Sequence, residues 1–174
     1  MVVRQWTFVI AIAFVIGVGV GAQLPPRYAM TPTDVAVYFT PGTECEDRII
    51  AELGRADKID IAVYSITNPK IADAIIAAHR RGARVRIVTD RTMAGHKSSM
   101  IDELATAGIP VRTNRRHKIE HNKFAVFDNR RMVTGSYNWT TAATKYNSEN
   151  CIFLTHPAQE YSKRFEVLWN AYKK

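Results

Sequence analysis

Residues 121–138 read HNKFAVFDNRRMVTGSYN, and this stretch is the starting point for both the fold and the chemistry. Its fixed positions follow the pattern H-x-K-x4-D-x6-G-S-x-N. Residues 123–128 and 131–135 are rich in β-forming side chains, and the residues between them are typical of a tight turn. The sequence therefore predicts a β-hairpin whose two outer ends lie side by side.

The outer ends of this hairpin carry side chains that suit a phosphate group. Side chains alternate between the two faces of a strand, so His121 and Lys123 share one face. The hairpin returns Ser136 and Asn138 to their side. An ammonium group neutralises phosphate charge, a hydroxyl and an amide donate hydrogen bonds, and an imidazole attacks phosphorus or transfers a proton. The stretch therefore predicts a site that handles phosphate.

The rest of the chain alternates between strand and helix patterns. Strands are predicted at residues 35–39, 59–64, 84–88, from 111, at 123–128, 131–135 and 150–154. Helices are predicted at residues 44–56, 69–81, 98–107 and 157–172. This alternation indicates an α/β fold, a mixed β-sheet flanked by helices on both faces.

The pattern in residues 121–138 is identified as the HKD motif of the phospholipase D superfamily, which it matches at every fixed position. The resemblance extends to AVYSIT at residues 62–67, RGARVRIVTD at 81–90 and NSEN at 147–150. The resemblance covers most of the chain from about residue 35. Within the superfamily, the chain is similar to the small, single-motif, Nuc-type bacterial endonucleases. The fold that the resemblance implies is the phospholipase D-like α/β sandwich, and its mechanism requires no metal or cofactor.

The resemblance also implies roles for individual residues. His121 is expected to form a phosphohistidine in one subunit and to act as the general acid in the other. Lys123, Ser136 and Asn138 are expected to bind the phosphate oxygens. Glu149 would orient the catalytic histidine, the alternative being an ordinary acid before a strand. Asp128 is placed with the catalytic residues, although strand alternation also allows a structural role at the turn.

The single copy of the motif has a consequence for assembly. The superfamily mechanism uses two histidines, and large members carry two motifs in one chain. A chain with one motif must take the second histidine from another subunit. The resemblance therefore implies a two-fold homodimer with one active site shared between the subunits.

Charge points to an anionic partner. The chain of 174 residues has a formal net charge of +8 and a pI of about 9.7, which suits nucleic acid or an acidic membrane surface. A basic segment leads into His121 and is expected to grip flanking phosphates, the alternative being a solvated charge run. It contains Arg112, Arg115, Arg116, His117 and Lys118.

The N-terminus differs from the rest of the chain. Residues 6–22 are apolar or small apart from Thr7, follow Arg4, and end in Val20-Gly-Ala22. This pattern favours a signal peptide over residues 1–22 and a periplasmic or secreted protein, with an uncleaved membrane anchor as the alternative. Residues 23–33 form a Pro-containing linker, and residues 34–174 the catalytic domain.

The chain contains two cysteines, which are too few for a disulfide framework or a four-cysteine zinc site. Cys45 and Cys151 would pair in an exported protein, or remain as two unlinked thiols.

The function expected from these observations is a metal-independent endonuclease that cleaves DNA, and RNA as a further substrate, with little sequence preference. One alternative is a membrane-anchored phospholipase D-type lipid hydrolase or RNA-processing nuclease. A second is a nucleic-acid-binding protein without catalysis.

Overall fold

A mixed β-sheet forms the centre of the protein in a computed structural model that describes residues 35–155 and 158–173. Over these residues it has seven strands, in the spatial order β1-β7-β6-β5-β2-β3-β4. The strands are β1 (Val35–Phe39), β2 (Lys58–Val63), β3 (Arg84–Thr89), β4 (Val111–Thr113), β5 (Lys123–Phe127), β6 (Arg131–Gly135) and β7 (Asn150–Leu154). The predicted strands, including both arms of the hairpin, are confirmed.

Strand direction brings several chain segments to one edge of the sheet. Strands β5 and β7 run antiparallel to each of their neighbours, whereas β2, β3 and β4 are parallel to one another. The carboxyl ends of β1, β2, β3, β4 and β6 therefore lie at the same edge as the amino ends of β5 and β7. We call this the upper edge, and the opposite one the lower edge.

Helices cover both faces of the sheet, as predicted. They are α1 (Glu44–Arg55), α2 (Pro69–Arg80), α3 (Arg91–Ala94), α4 (Ile101–Thr106), α5 (Thr141–Lys145) and α6 (Ala158–Ala171). Helix α2 illustrates why the bounds of a helix can be predicted from the sequence. Asn68 caps its first turn by accepting a hydrogen bond from the backbone N–H of Lys70, and Pro69 occupies its first position. The chain then leaves the helix through Gly82, whose φ is +98°.

Two apolar cores result, one on each face. Helices α1, α2 and α4 pack through Ile49, Ile75 and Leu104 onto a cluster that includes Ala125 and Phe127 of β5. Helix α6 packs on the other face, where its Phe165 and Leu168 join a cluster that includes Phe124 and Val126 of β5. Strand β5 is therefore buried on both sides, and alternation places Lys123 on the face that α1 and α2 cover.

Three details differ from the sequence prediction or lie beyond it. The helix predicted at 98–107 is wrong in length, because α4 covers only Ile101–Thr106. Helices α3 and α5 were not predicted, since four or five residues are too few to show a 3.6-residue period. The predicted leader at 1–22, the linker at 23–33 and the start of the last helix at 157 lie outside the described residues.

The two cysteines form a disulfide bond between α1 and β7. Cys45 lies in the first turn of α1 and Cys151 is the second residue of β7, and both are buried. The bond links segments 106 residues apart in the chain. It therefore ties α1 to the strand that begins at the upper edge.

Within residues 35–155 and 158–173, no helix is both long and apolar enough to cross a membrane.

Candidate active site

His121 lies at the upper edge, two residues before strand β5, with its side chain exposed. Its ring packs against that of Tyr64, with centroids 4.8 Å apart and planes tilted by 58°. Its carbonyl oxygen accepts a hydrogen bond from Lys123 Nζ at 2.8 Å. The backbone N–H of Tyr64 donates to the carbonyl of the next residue, Asn122, at 2.8 Å. The imidazole is thus open to solvent on a backbone that neighbouring groups hold in place.

Lys123 is the first residue of β5, opposite Val63 of β2, and only 9% of it is exposed. Burial lowers its pKa, and the negative charges of Glu149 and Glu120 partly oppose that shift. Its Nζ lies 5.0 Å from the centre of the Tyr64 ring. Among the described residues the His121 carbonyl is its only hydrogen-bond acceptor, which leaves two N–H donors for an anion.

Ser136 is held at the upper edge by β7. Its hydroxyl oxygen accepts a hydrogen bond from the backbone N–H of Asn150 at 3.1 Å, and its own N–H donates to the Asn150 carbonyl at 3.1 Å. This approach depends on Gly135, because a Cβ there would lie 2.3 Å from the same carbonyl oxygen and its φ is +146°. The glycine of the motif is therefore needed to place the serine.

The segment after Ser136 is fastened to the end of β2. Trp139 donates its N–H to the Ser65 carbonyl at 3.2 Å, and its own carbonyl accepts from the N–H of Thr67 at 3.0 Å. Trp139 is buried, which agrees with a core role rather than an exposed stacking platform. These bonds bring Asn138 to the carboxyl end of β2, near the amino end of β5. Its Oδ1 is buried and has no hydrogen-bond partner in the described part of the chain.

Glu149 directly precedes β7 and reaches the same edge. Thr40, at the end of β1, donates its N–H to the Glu149 carbonyl at 3.0 Å and accepts the Glu149 N–H at 3.0 Å. Its carboxylate accepts a hydrogen bond from Asn147 Nδ2 at 3.1 Å, and within the described chain no hydrogen bond joins it to His121. Its influence on the Lys123 pKa places it in the charge environment of the site. Its orienting role stays a prediction.

Asp128 does not join this group. It follows β5 at the lower edge, one strand length from Lys123, and its N–H donates to the Lys58 carbonyl. Its Oδ1 accepts from the backbone N–H groups of Asp57 and Lys58 at 2.9 and 3.0 Å, and its Oδ2 pairs with Arg131 at 2.9 Å. The structure therefore does not bring Asp128 together with the residues among which it was predicted to act: its carboxylate secures the turn between β5 and β6.

The basic segment divides into engaged and exposed residues. The guanidinium of Arg112 donates to the Trp169 carbonyl and lies 3.9 Å from the centre of the Trp169 ring, so the structure engages it in packing on α6. Arg116 is exposed, and its Nε donates to the Ala171 carbonyl at 3.3 Å. Arg115 and Lys118 are exposed close to His121 in sequence. Only part of the segment is therefore available to a substrate.

Sequence reasoning missed Tyr64, which contacts both His121 and Lys123. Tyr64 lies in the AVYSIT stretch at residues 62–67, but its contact with His121 depends on the pairing of β2 with β5, which the sequence does not reveal. Among residues 35–155 and 158–173, no group of three or more His, Cys, Asp or Glu side chains is arranged to hold a metal ion.

A family model described as "cardiolipin synthase, PLD-like domain" matches residues 49–169, which include every site residue above except Thr40. The chain belongs to the phospholipase D superfamily. Within this superfamily it is 36% identical over 150 residues to a mitochondrial cardiolipin hydrolase of Chlamydomonas reinhardtii, an alignment that covers 84% of this chain and 62% of that protein. It is 37% identical over 121 residues to a phospholipase D of Rickettsia felis, covering 69% of this chain and 60% of that protein.

A solved structure of the phospholipase D superfamily has the same fold. Nuc from Salmonella typhimurium, a phospholipase D family member, superposes with a TM-score of 0.75 at 32% identity. The superposition covers 80% of this chain and 95% of the Nuc chain. The chain thus spans about three fifths of the length of the two curated relatives above, and nearly all of the Nuc chain.

Proposed function

We propose that the protein is a metal-independent phosphodiesterase that cleaves DNA, and RNA as a further substrate, through a phosphohistidine intermediate. The observation that carries the proposal is the gathering of His121, Lys123, Ser136 and Asn138 at the upper edge, with the His121 ring exposed. The set contains a nucleophile, a cation and hydrogen-bonding groups. These are the parts that displacement at a phosphodiester requires.

The reaction has two displacements at phosphorus. A ring nitrogen of His121 attacks, the bond from phosphorus to the leaving oxygen breaks, and a second histidine gives that oxygen a proton. The second histidine then takes a proton from water, the water oxygen attacks phosphorus, and the bond from phosphorus to His121 breaks. Lys123 offsets charge on the non-bridging oxygens throughout.

We propose that the second histidine is His121 of another copy of the chain. A ring nitrogen bonded to phosphorus cannot protonate the leaving oxygen in the same step, so each site needs a second group that donates this proton. A two-fold axis beside the upper edge would bring two copies of the group together. The protein would then act as a homodimer with one shared site.

Charge favours nucleic acid as the substrate. The net charge of +8 and the exposed Arg115 and Lys118 beside the site suit a chain of phosphates better than one headgroup. The similarity to Nuc over 95% of its length is consistent with this choice. The lipid alternative is favoured by the relatives named cardiolipin hydrolase and phospholipase D, so a phospholipid is the second candidate substrate.

We further propose that the protein acts in the periplasm or outside the cell. The apolar stretch at residues 6–22 has the length and flanks of a signal peptide. The disulfide between Cys45 and Cys151 suits an oxidising compartment. N-terminal sequencing of the mature protein tests the proposal: a start at Gln23 supports export with cleavage, and a start at Met1 supports a retained anchor.

The test of the activity compares the wild-type chain with His121→Ala on plasmid DNA, single-stranded DNA, RNA and cardiolipin vesicles, all in excess EDTA. His96→Ala is the matched control, because His96 is an exposed histidine whose ring forms hydrogen bonds with Ser98. We expect nucleic acid cleavage by the wild type and the control and none by His121→Ala. Turnover of vesicles alone would favour the lipid candidate. Cleavage that survives in His121→Ala, or stops in EDTA, would contradict the mechanism.

A further inference from the structure

A buried hydrogen-bond network connects the end of the last helix to the backbone around His121. Glu120, the preceding residue, is 2% exposed. Its Oε1 accepts hydrogen bonds from the side chain of Asn122 and, at 3.3 Å, from the backbone N–H of Asn122. Its Oε2 accepts the hydroxyl proton of Tyr172 at 2.7 Å, and Tyr172 follows α6 and is 1% exposed. One carboxylate therefore bridges the residues on both sides of His121 to the end of α6.

The sheet holds the same short segment from two other directions. The N–H of Glu120 donates to Asp90 Oδ2 at 3.0 Å, and the other oxygen of Asp90, which follows β3, caps α3. The carbonyl of Asn122 accepts the N–H of Tyr64, which follows β2. The backbone of residues 120–122 is thus attached to β2, β3 and the end of α6.

The His121 ring itself has no hydrogen-bond partner in the described part of the chain, and its one ring contact is Tyr64. The direction of the imidazole consequently depends on the backbone that carries it. A nucleophile displaced by about 1 Å can lose about 100-fold in rate. The hydrogen bonds of Glu120 and Asn122 hold the backbone on both sides of His121.

The charge on Glu120 is not explained by packing alone. A buried carboxylate is costly unless it is paired, yet within residues 35–155 and 158–173 no cation lies within ion-pair distance of Glu120. Burial and the nearby Glu120 raise the pKa of Tyr172, so its hydroxyl keeps the proton that it donates. The Glu120 charge also favours the ammonium form of Lys123.

We propose that Glu120, held by Tyr172, is a positioning residue that sets the direction of the His121 imidazole. Asn122, on the other side of His121, donates to the same carboxylate. The inference rests on the proposed function, in which His121 is the nucleophile. It predicts that Tyr172, which follows α6, controls the rate of the chemical step without contacting the substrate.

The experiment compares Tyr172→Phe with Tyr161→Phe in the full-length chain. Tyr172→Phe removes one hydroxyl, which donates to Glu120 and also lies 2.6 Å from His117 Nδ1. Tyr161 lies on α6, and its ring centre is 5.1 Å from that of Phe124. We expect Tyr172→Phe to lower kcat about tenfold with KM within about twofold. We expect Tyr161→Phe to leave both constants unchanged. Equal kcat in the two variants would overturn the proposal, as would a change in KM alone.

A second readout does not depend on turnover. The histidine ring resonances of the 15N-labelled chain are compared between wild type, Glu120→Gln, Tyr172→Phe and Tyr161→Phe. We expect the His121 resonances to shift in the first two variants and to stay in place in the third. Unmoved resonances in folded Tyr172→Phe would overturn the positioning role. Absence of phosphodiesterase activity in the wild type would instead contradict the proposed function, and the resonances would still decide the role of Glu120.

Discussion

At the residue scale, the site is made by side chains whose surroundings work against the stability of the fold. Lys123 is nearly buried, and its pKa is lowered because burial disfavours the charged form. Asn138 has a buried oxygen without a partner in the described chain. Polar groups in such positions cost free energy in the folded state, and the Lys123 ammonium group offers the N–H donors that an anion needs.

Lys123→Met tests this opposition between stability and function. Methionine has a similar length and needs no hydration, so we expect the free energy of unfolding to stay the same or rise by up to about 1 kcal/mol. We expect kcat/KM to fall about 10³-fold, because the cation at the phosphate is lost. Urea unfolding and a cleavage assay measure the two quantities. Lys145→Met, at an exposed lysine of α5, should change neither; a large loss of stability in Lys123→Met would refute this account.

Gly135→Ala tests the approach of β6 to β7. The new Cβ would meet the Asn150 carbonyl oxygen at 2.3 Å, and the φ of +146° is unfavourable for alanine. We expect a loss of about 3 kcal/mol or more in the free energy of unfolding. Gly54→Ala is the control: it lies in α1 with no atom within 4 Å of the new Cβ, and should stabilise by about 0.5–1 kcal/mol. Similar effects at the two glycines would contradict the explanation.

At the element scale, the candidate catalytic residues and the structural turn lie at opposite ends of the β5–β6 hairpin. The upper edge carries His121, Lys123 and Ser136, whereas the lower edge carries the turn at Asp128 and Asn129. Both turn residues are left-handed, with φ values of 54° and 55°, and Asp and Asn tolerate this region better than most residues. The carboxylate of Asp128 ties the turn to the start of β2. One motif thus spans both edges of the sheet.

Asp128→Asn follows from this division. Burial raises the pKa of Asp128. The hydrogen bonds from the N–H groups of Lys58 and Asp57 and the charge of Arg131 lower it by more, so the pKa lies below the ordinary 3.8. A depressed folded-state pKa stabilises the protein above the unfolded-state value, and this contribution is lost as pH falls through the folded-state value. We expect the variant to be about 1–2 kcal/mol less stable at pH 7, with the difference shrinking below about pH 4.

Activity provides the second half of the Asp128 test. Because the carboxylate lies at the lower edge, Asp128→Asn should keep its kcat at a temperature where it remains folded. Unfolding curves at pH 7 and pH 3, together with a cleavage assay, measure both expectations. A folded variant with a 10³-fold lower kcat would return Asp128 to the catalytic group.

At the scale of the whole molecule, the arrangement of the sheet places His121 on an exposed edge, where the proposed mechanism requires a second histidine. Within the described chain, His121 has no imidazole partner at hydrogen-bond distance. The exposed Phe39 and Tyr146 lie at the same edge, at the end of β1 and after α5. An edge of this kind suits contact with a second copy of the chain.

Subunit mixing tests the shared site. A fixed amount of wild-type chain is unfolded and refolded with a tenfold excess of His121→Ala chain. If each site needs two His121 residues, random pairing leaves few complete sites, and activity falls about tenfold. The same excess added as folded variant, just before an assay at saturating substrate, should have little effect. Undiminished activity after co-refolding would show that one chain is sufficient.

The sequence by itself determined the order of the main strands and helices, the hairpin and the motif whose residues are the candidates for binding phosphate. These features depend on local patterns: period-2 alternation in β5, the Asn68-Pro69 start of α2, and fixed spacing within residues 121–138. The short helices α3 and α5 were beyond prediction because they contain too few residues to show a period.

Only the tertiary structure decided which residues meet. Strand order brings Tyr64 and Glu149 to the upper edge and sends Asp128 to the lower one, although Asp128 is nearer to His121 in the chain than either of them. Packing of α6 places Trp169 against Arg112, which is therefore engaged, unlike the exposed residues of the basic segment. It also brings the Tyr172 hydroxyl within hydrogen-bond distance of Glu120. These relations connect residues up to tens of positions apart through sheet pairing and burial, which are properties of the whole fold and leave no local signal in the sequence.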